Sequence, residues 1–249
     1  MEINVKEIVI KPIPANIANE FVKAHHYSKK VVNNSCLHFG AFYSGTLHGV
    51  LSYGPSMDKS KIIKLVEGTK WNDFLELNRM AFDDFLPKNS ESRSISVSLK
   101  LIKKHYPNIK WVVSFADGTQ CGDGAIYRAS GFSLVGIKQN TTILEFPNGE
   151  RVANMSLRPQ NCSLERLKQL YGTLANIEGG VKYRTDKEWE QLGVKRVDGY
   201  MLKYIYFLDK GCKNKLTEPI MPFSEIDRIG AGMYKGEKIS VSERHIRKK

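Results

Sequence analysis

The sequence predicts an α/β fold, in which a mixed β-sheet carries helices on both faces, and three observations support this prediction. Residues 109–117 form a nearly continuous apolar run, which is typical of a strand buried on both faces. Helical and strand patterns alternate in the middle of the chain, which implies parallel neighbouring strands there. With 249 residues, of which 41% are hydrophobic, the chain can bury a full core.

The first elements are a strand and a helix. Residues 5–10 alternate like a strand, and Pro12 and Pro14 end the pattern. We expect a helix to follow, with Asn16 as its N-cap. The predicted apolar face of this helix consists of Ile17, Phe21 and Ala24.

The next segment predicts a hairpin and a third strand of the same sheet. Two runs of aromatic and β-branched residues flank Ser44-Gly45 within residues 37–56, which is a hairpin pattern. Residues 74–87 predict a further strand, which Pro87 stops.

Residues 94–106 fit both a strand and a helical face, and we predict a helix. The length of the segment favours a helix, and its lysines would lie near the negative C-terminal end. The buried strand 109–117 follows and ends at Asp117. A short helix over 125–129, ended by Gly131, comes next.

The rest of the chain predicts further elements of the same domain. They are a hairpin near 132–153 with its turn at Asn148-Gly149, a helix over 163–170 and a strand over 199–209. We therefore expect one α/β catalytic domain over residues 1–210 and a basic C-terminal extension over residues 211–249.

Charge indicates a polyanionic partner. The formal net charge is +12 and the pI is about 9.4, and such an excess attracts nucleic acid through counterion release. Residues 235–249 carry six of the basic side chains. They are Lys235, Lys238, Arg244, Arg247, Lys248 and Lys249.

The chain shows neither a membrane span nor a secretory signal pattern, so we expect a cytoplasmic protein. Its cysteines form no CxxC pair, which disfavours both a disulfide framework and a zinc knuckle. They are Cys36, Cys121, Cys162 and Cys212.

The junction after the buried strand is a candidate site. Open α/β sheets bind ligands at the carboxyl ends of their strands, and Asp117 and Tyr127 follow such an end. The glycines of this junction are also consistent with a simple turn, and Asp117 with a turn cap. Cys121 lies nearby, but no histidine is adjacent in sequence to activate it as a nucleophile.

Two resemblances give the junction a chemistry. Residues 126–132 (IYRASGF) resemble the late helix of acetyl-coenzyme A-dependent acetyltransferases, so the predicted fold is acetyltransferase (GNAT)-like. Three blocks taken together, 25–42, 77–96 and 114–132, resemble the phage Mom-like adenine-modification proteins. That family converts the adenine N6 group of double-stranded DNA to a carbamoylmethylated amine and protects phage DNA from restriction, with acetyl-CoA as suspected donor and iron as suspected metal.

The resemblance implies a role for each matched residue. It implies catalytic roles for Tyr27, Asp117 and Tyr127, the last as a proton donor to the coenzyme thiolate. It implies an iron site made by Tyr27, Asp117 and Tyr127 together with His26, or its neighbour His25. Their oxygen and imidazole groups suit iron better than metals that prefer thiolate.

The coenzyme site implied by the resemblance lies at the start of the helix after Pro87. It would consist of Arg79, Lys88, Ser92 and Arg93. Acetyltransferases carry a glycine-rich loop at this point, whereas residues 87–93 hold no glycine. A helix N-terminus flanked by lysine, arginine and serine still attracts phosphate, although an ordinary capped helix start gives the same pattern.

Two other function classes fit the sequence. One is an ordinary acyl-coenzyme A N-acyltransferase that acts on a small amine, a protein or RNA. The other is a basic DNA-binding protein without enzymatic activity. Of the three, only the Mom-like reading predicts altered adenine.

Overall fold

The computed structural model describes residues 3–171 and 184–239. It divides into two compact units. The first unit comprises Met1–Ala116, Gly124–Gly136 and Leu202–Glu225, and the second comprises Asp117–Asp123, Ile137–Met201 and Ile226–Lys249. Within the described ranges, no helix is long and apolar enough to cross a membrane.

The first unit contains most of the strands and helices. They are β1 (Val9–Pro12), α1 (Ala15–His25), β2 (Leu37–Tyr43), β3 (Thr46–Gly54), α2 (Lys59–Ile62), β4 (Phe74–Phe82), α3 (Ser90–His105), β5 (Trp111–Asp117) and α4 (Ala125–Ala129). Parts of β6 (Ser133–Glu145) and β8 (Lys195–Phe207) complete its sheet, in the order β1-β2-β3-β4-β5-β8-β6. The pairs from β1 to β4 are antiparallel and β4 pairs with β5 in parallel, so the sheet is mixed, as predicted.

Helices cover both faces of this sheet. Val50 of β3 packs in one cluster with Ala18 and Val22 of α1. Tyr53 of β3 hydrogen-bonds Ser98 of α3 at 2.6 Å. Because side chains alternate along a strand, Val50 and Tyr53 point to opposite faces, and α1 and α3 therefore lie on opposite faces. The prediction of helices on both faces is confirmed.

The N-terminal predictions need correction. A 3-10 turn, Val5–Glu7, precedes β1, so the strand begins later than predicted. The N-cap of α1 is Pro14 and not Asn16, and Ile17 remains 41% exposed. The buried face contains Ala18 and Val22, with Phe21 partly buried, while Ala24 is exposed. Ala18 and Val22 pack against the sheet, and this contact determines which face of α1 is buried.

The middle of the chain matches its predictions more closely. The ambiguous segment is helix α3, the apolar run is strand β5, and the short helix α4 begins and ends as expected. Strand β4 ends at Phe82, before the expected stop at Pro87. Asp83 starts a turn there, since its carboxylate accepts a hydrogen bond from the Phe85 main chain at 3.1 Å.

The second unit has its own core. It contains β7 (Arg151–Ala153), which pairs antiparallel with β6 around the predicted Asn148-Gly149 turn, and the helices α5 (Leu164–Tyr171) and α6 (Asp186–Gln191). Its buried cluster consists of Leu144, Phe146, Leu157, Cys162, Leu167, Leu170, Trp189 and Val194. Helix α7 (Ser224–Arg228) leads into the last hairpin, β9 (Met233–Tyr234) with β10 (Glu237–Lys238).

The start of the predicted basic tail belongs to this folded hairpin. Lys235 donates its main-chain N–H to the Cys121 carbonyl at 3.1 Å, and Met233 is buried. Four of the basic residues predicted for the tail lie outside the described residues. They are Arg244, Arg247, Lys248 and Lys249.

Candidate active site

Strands β4 and β5 part in the middle of the first unit. Their parallel pairing runs from Phe74 and Trp111 to Glu76 and Val113, and both strands continue beyond these pairs. Ser114 reaches across to the Leu77 carbonyl with a long hydrogen bond of 3.4 Å. The main-chain pairing between β4 and β5 therefore ends at Glu76, and the strands separate beyond it.

The other edge of β4 carries a β-bulge. Arg79 pairs with Ser52 and Leu77 pairs with Tyr53, so Asn78 is an extra residue in β4. A Cβ on Gly54 would lie 2.7 Å from Asn78 Oδ1, so the facing strand needs glycine there. Side-chain alternation shifts by one residue at the bulge.

The bulge places two ionisable side chains on one face of the sheet. Glu76 pairs with Gly54 and Arg79 with Ser52, and Gly54 and Ser52 lie on the same face because they are two residues apart. Glu76 and Arg79, which are three residues apart, therefore share that face as well. Both side chains are half-buried.

Arg79 joins β4 to the segment after α1. Its Nε donates to the Lys30 carbonyl at 2.9 Å and its Nη1 to the Asn78 carbonyl at 2.7 Å. Burial lowers the pKa of Arg79, and attraction to Tyr27 and Glu76 opposes that shift. The guanidinium stays charged, since even a lowered arginine pKa lies far above neutrality.

His26 and Tyr27 lie beside this arginine. Their rings are 4.2 Å apart, and the Tyr27 side chain is 52% exposed whereas His26 is buried. Burial, with the charge of Arg79, lowers the pKa of His26 to about 4. The imidazole is therefore neutral at pH 7. The structure thus brings together three of the predicted site residues, His26, Tyr27 and Arg79.

The tautomer of His26 follows from its neighbours. The main-chain N–H of Ser28 donates to His26 Nδ1 at 3.1 Å, and Ser28 Oγ lies 2.8 Å from the same atom. Nδ1 is therefore an acceptor, and the proton of the neutral ring is on Nε2. A ring that ligates a metal through Nε2 needs the opposite tautomer, with its other nitrogen donating.

Glu76 is a functional candidate that our sequence reasoning missed. Ser56 Oγ donates to Glu76 Oε2, and the Asn78 side chain also hydrogen-bonds the carboxyl group. Burial raises the pKa of Glu76 above its usual range, although these two hydrogen bonds and the charge of Arg79 oppose the rise. An acidic residue between the apolar side chains of Leu75 and Leu77 was the signal that could have identified it.

Tyr127 belongs to a group of tyrosines in the first unit. Its ring lies 5.4 Å from that of Tyr204 and 5.5 Å from that of Phe132. Tyr53 OH is 2.6 Å from Ser98 Oγ, and burial raises the pKa of Tyr53, with Tyr127 adding to the rise. Burial therefore keeps the Tyr53 phenol neutral at pH 7.

The predicted coenzyme loop begins α3 with a left-handed residue. Asn89 has φ of 74° and precedes the first helical residue. Ser92 Oγ donates to the Asn89 carbonyl at 3.1 Å, and Lys88 is exposed. Arg93 donates from Nη2 to the Lys6 carbonyl at 3.0 Å, so part of its guanidinium holds the N-terminal segment.

Asp117 lies in the second unit and organises the loop that follows β5. Its Oδ1 accepts from the Thr119 N–H at 3.0 Å, from Thr119 Oγ1 and from Asn140 Nδ2 at 3.2 Å. These are the contacts of a turn-capping aspartate.

The predicted iron ligands do not fit a metal site as they stand. Among the described side chains, no group of three or more His, Cys, Asp or Glu residues could hold a metal ion. His26 has the wrong tautomer for ligation through Nε2. Tyr27 and Tyr127 remain as oxygen donors, each in a different set of contacts.

Comparison with known proteins identifies the family. The model of the Mom protein family matches residues 7–225. The chain belongs to the Mom family. A methylcarbamoylase named Mom from Escherichia phage Mu is 41% identical over 213 residues, which cover 85% of this chain and 80% of that protein. All the site residues described above fall within the family match, and residues 226–249 lie beyond it.

Solved structures similar to this Mom-family chain are acetyltransferases. An acetyltransferase from Bacillus subtilis, in complex with CoA, is 9% identical and has a TM-score of 0.41, with 80% of this chain and 98% of that chain covered. The ribosomal-protein-S18-alanine N-acetyltransferase from Escherichia coli is 8% identical with a TM-score of 0.41, over 81% and 94% of the two chains. At such TM-scores these likenesses say nothing about the activity of this chain.

Proposed function

We propose that this Mom-family chain modifies adenine N6 in double-stranded DNA to the carbamoylmethylated form, with acetyl-CoA as the donor, and so protects phage DNA from restriction inside the host cell. The observation that carries the proposal is the 41% identity to a phage methylcarbamoylase over 213 residues, together with the family match over residues 7–225, which contains His26, Tyr27 and Arg79. The net charge of +12 supports a DNA substrate.

The opening between β4 and β5 is the proposed place for the acyl arm of the coenzyme. Beyond the Glu76–Val113 pair the two strands no longer pair with each other, so main-chain groups of both can meet the amides of an inserted ligand. Support for a pyrophosphate site comes from the first turn of α3, a helix of 16 residues. Its N–H groups and dipole attract phosphate, with Lys88, Ser92 and Arg93 adding donors or charge.

Tyr127 is the proposed acid that protonates the departing coenzyme thiolate. Tyr127 lies among other tyrosines near α3, the helix whose start would hold the phosphates. Such proton donation typically contributes ~10²–10⁴ in rate.

Tyr27 is the proposed contact for the extruded base. A base inside a duplex must be flipped out before its amino group can react, and aromatic side chains stabilise the flipped base by stacking. Tyr27 is half-exposed beside the neutral His26 ring and the charged Arg79, which together offer a surface of that kind. Asp117 holds the loop after β5 through its hydrogen bonds with Thr119 and Asn140.

We derive no step through iron, because the predicted ligands do not fit it. Simple acyl transfer to N6 would give an acetamide, whereas the proposed product joins N6 to a methyl carbon. The mechanism proposed here is therefore restricted to binding, orientation and proton transfer by this chain's own residues.

Nucleoside mass spectrometry tests the proposed function. We would express the chain in bacteria, digest the DNA to nucleosides, and compare their masses with those from cells that express Arg79→Ala. We expect a carbamoylmethylated deoxyadenosine with the wild type only, and unchanged deoxycytidine, deoxyguanosine and thymidine. Unmodified deoxyadenosine despite abundant folded protein would overturn the proposal and favour an ordinary N-acyltransferase.

A further inference from the structure

Glu76 is the acidic side chain placed where the sheet opens. It is the last residue of β4 that pairs with β5, and its side chain lies on the face that also carries Arg79. A carboxyl group at that point borders the opening proposed for the coenzyme and lies near Arg79, which belongs to the surface proposed for the base. It is half-buried, so a ligand can reach it.

Two side chains hydrogen-bond the Glu76 carboxyl group, and the group can still accept further hydrogen bonds. Ser56 Oγ donates to Oε2, and the Asn78 side chain adds a second hydrogen bond. A carboxylate offers roughly four lone-pair sites, so two remain for a substrate. Ser56 is buried, and Asn78 is fixed in turn by Ser35 Oγ at 3.0 Å and by the Pro55 carbonyl at 3.3 Å.

The charges around Glu76 suit a proton acceptor rather than a structural ion pair. Burial raises the pKa of the carboxyl group, and Arg79 is the charged group that opposes this. Arg79 itself directs two N–H groups to the carbonyls of Lys30 and Asn78. His26, which lies beside Arg79, is neutral and therefore adds no positive charge there.

We propose that Glu76 contacts the exocyclic amino group of the target adenine and accepts the proton that N6 gives up. In this transfer an N6–H bond breaks, its proton moves to the carboxylate and its electron pair stays on nitrogen. The substrate class is an exocyclic amine on a flipped base. This inference rests on the proposed function and adds a catalytic residue that neither the sequence patterns nor the family match assigns.

The test uses Glu76→Gln in the full chain. Glutamine keeps the shape and can still accept the Ser56 hydrogen bond, but it cannot take up a proton at neutral pH. We expect the rate of adenine modification to fall by ~10²–10⁴, the usual contribution of a proton-transfer group, while DNA and acetyl-CoA affinities stay within about twofold. The matched control is Glu67→Gln, which alters an exposed glutamate outside the site and should leave the rate unchanged.

A pH profile separates a proton acceptor from a merely structural glutamate. In Ser56→Ala the carboxylate loses a hydrogen bond that favours its charged form, so the acidic limb of the rate profile should move to higher pH. Modification by Glu76→Gln within about threefold of the wild type, with the unfolding temperature unchanged, would overturn the inference. Absence of adenine modification by the wild type itself would overturn the proposed function, and this inference with it.

Discussion

Ser130, which follows α4, donates a hydrogen bond from Oγ to the main-chain carbonyl of Ser92 in the first turn of α3, over 3.3 Å. The same hydroxyl lies 2.8 Å from the Ile126 carbonyl, within its own helix. A hydroxyl has one proton, so the two acceptors share it. The helix that carries Tyr127 is thereby tied to the helix start proposed for phosphate binding.

Ser130→Ala should therefore loosen the coenzyme site. We expect acetyl-CoA affinity to fall a few-fold, and stability to fall by about 1 kcal/mol, the usual value of such a bond. Isothermal titration with acetyl-CoA and thermal unfolding measure the two effects. Ser60→Ala, at an exposed position, is the control. Unchanged affinity would show that the link has no bearing on the coenzyme.

Arg79→Ala should abolish adenine modification and weaken acetyl-CoA binding. The change removes two hydrogen bonds and the charge next to Glu76, and it leaves the Lys30 and Asn78 carbonyls without that donor. Arg79→Lys should rescue the activity only partly, because an ammonium lacks the forked geometry of the guanidinium. Normal product with unchanged calorimetric binding would contradict the role.

Tyr127→Phe distinguishes a proton donor from a metal ligand. As a donor, the phenol contributes ~10²–10⁴ in rate, so weak activity and an unchanged metal content should remain. As a ligand, its loss should lower iron content together with activity. Metal analysis of anaerobically purified wild type and variant gives the answer. Because the predicted ligands do not fit iron, we expect no stoichiometric iron and activity that survives a chelator.

Asp117→Ala should act through the second unit. The Thr119 N–H and Asn140 Nδ2 lose their acceptor, which costs about 1–3 kcal/mol if they stay buried. Asp117→Asn keeps an acceptor oxygen and should recover most of the stability. Equal loss of activity in both variants at full stability would instead favour a catalytic carboxylate.

The pH dependence of stability should report His26. Its pKa is about 4 in the folded chain and 6.5 in the unfolded chain, so unfolded molecules bind more protons between these values. The contribution of His26 is full above pH 6.5 and is lost as pH falls toward 4, by linkage. In His26→Asn, whose side-chain oxygen can replace Nδ1 as the acceptor for Ser28, unfolding free energy should fall less over this window. The exposed neighbour provides the control, His25→Asn, and a slope equal to wild type in His26→Asn would refute the assignment.

Truncation after Ile239 tests the basic tail as a DNA contact. A cut at Lys235 would remove part of the β9–β10 hairpin, whereas residues 240–249 carry four basic residues and lie beyond it. DNA affinity should fall, and the slope of log affinity against log salt should decrease by about 0.9 per lost phosphate contact. Equal slopes for both chains would mean that DNA binds elsewhere.

Local pattern sufficed for some elements of the fold and failed for others. The apolar run of β5 and the lysine-rich end of α3 identified their elements, because periodicity and charge are properties of neighbouring residues. The face of α1 was wrong, since contact with β3 and β4 decided between two adjacent apolar stripes. The site was harder still: Glu76 depends on the register between three strands, which no short window of sequence contains.

The extra residue Asn78 makes the chemistry of β4 depend on its residue count. Without it, Glu76 and Arg79 would project from opposite sides of the sheet, one toward α1 and the other toward α3. Substitutions along the strand leave this arrangement intact, whereas a single insertion or deletion places Glu76 and Arg79 on opposite faces and moves every side chain beyond it to the other face. A single-residue deletion or insertion in β4 should therefore abolish adenine modification. A chain that carries both changes keeps the original residue count, and we expect it to recover the activity that either change alone destroys.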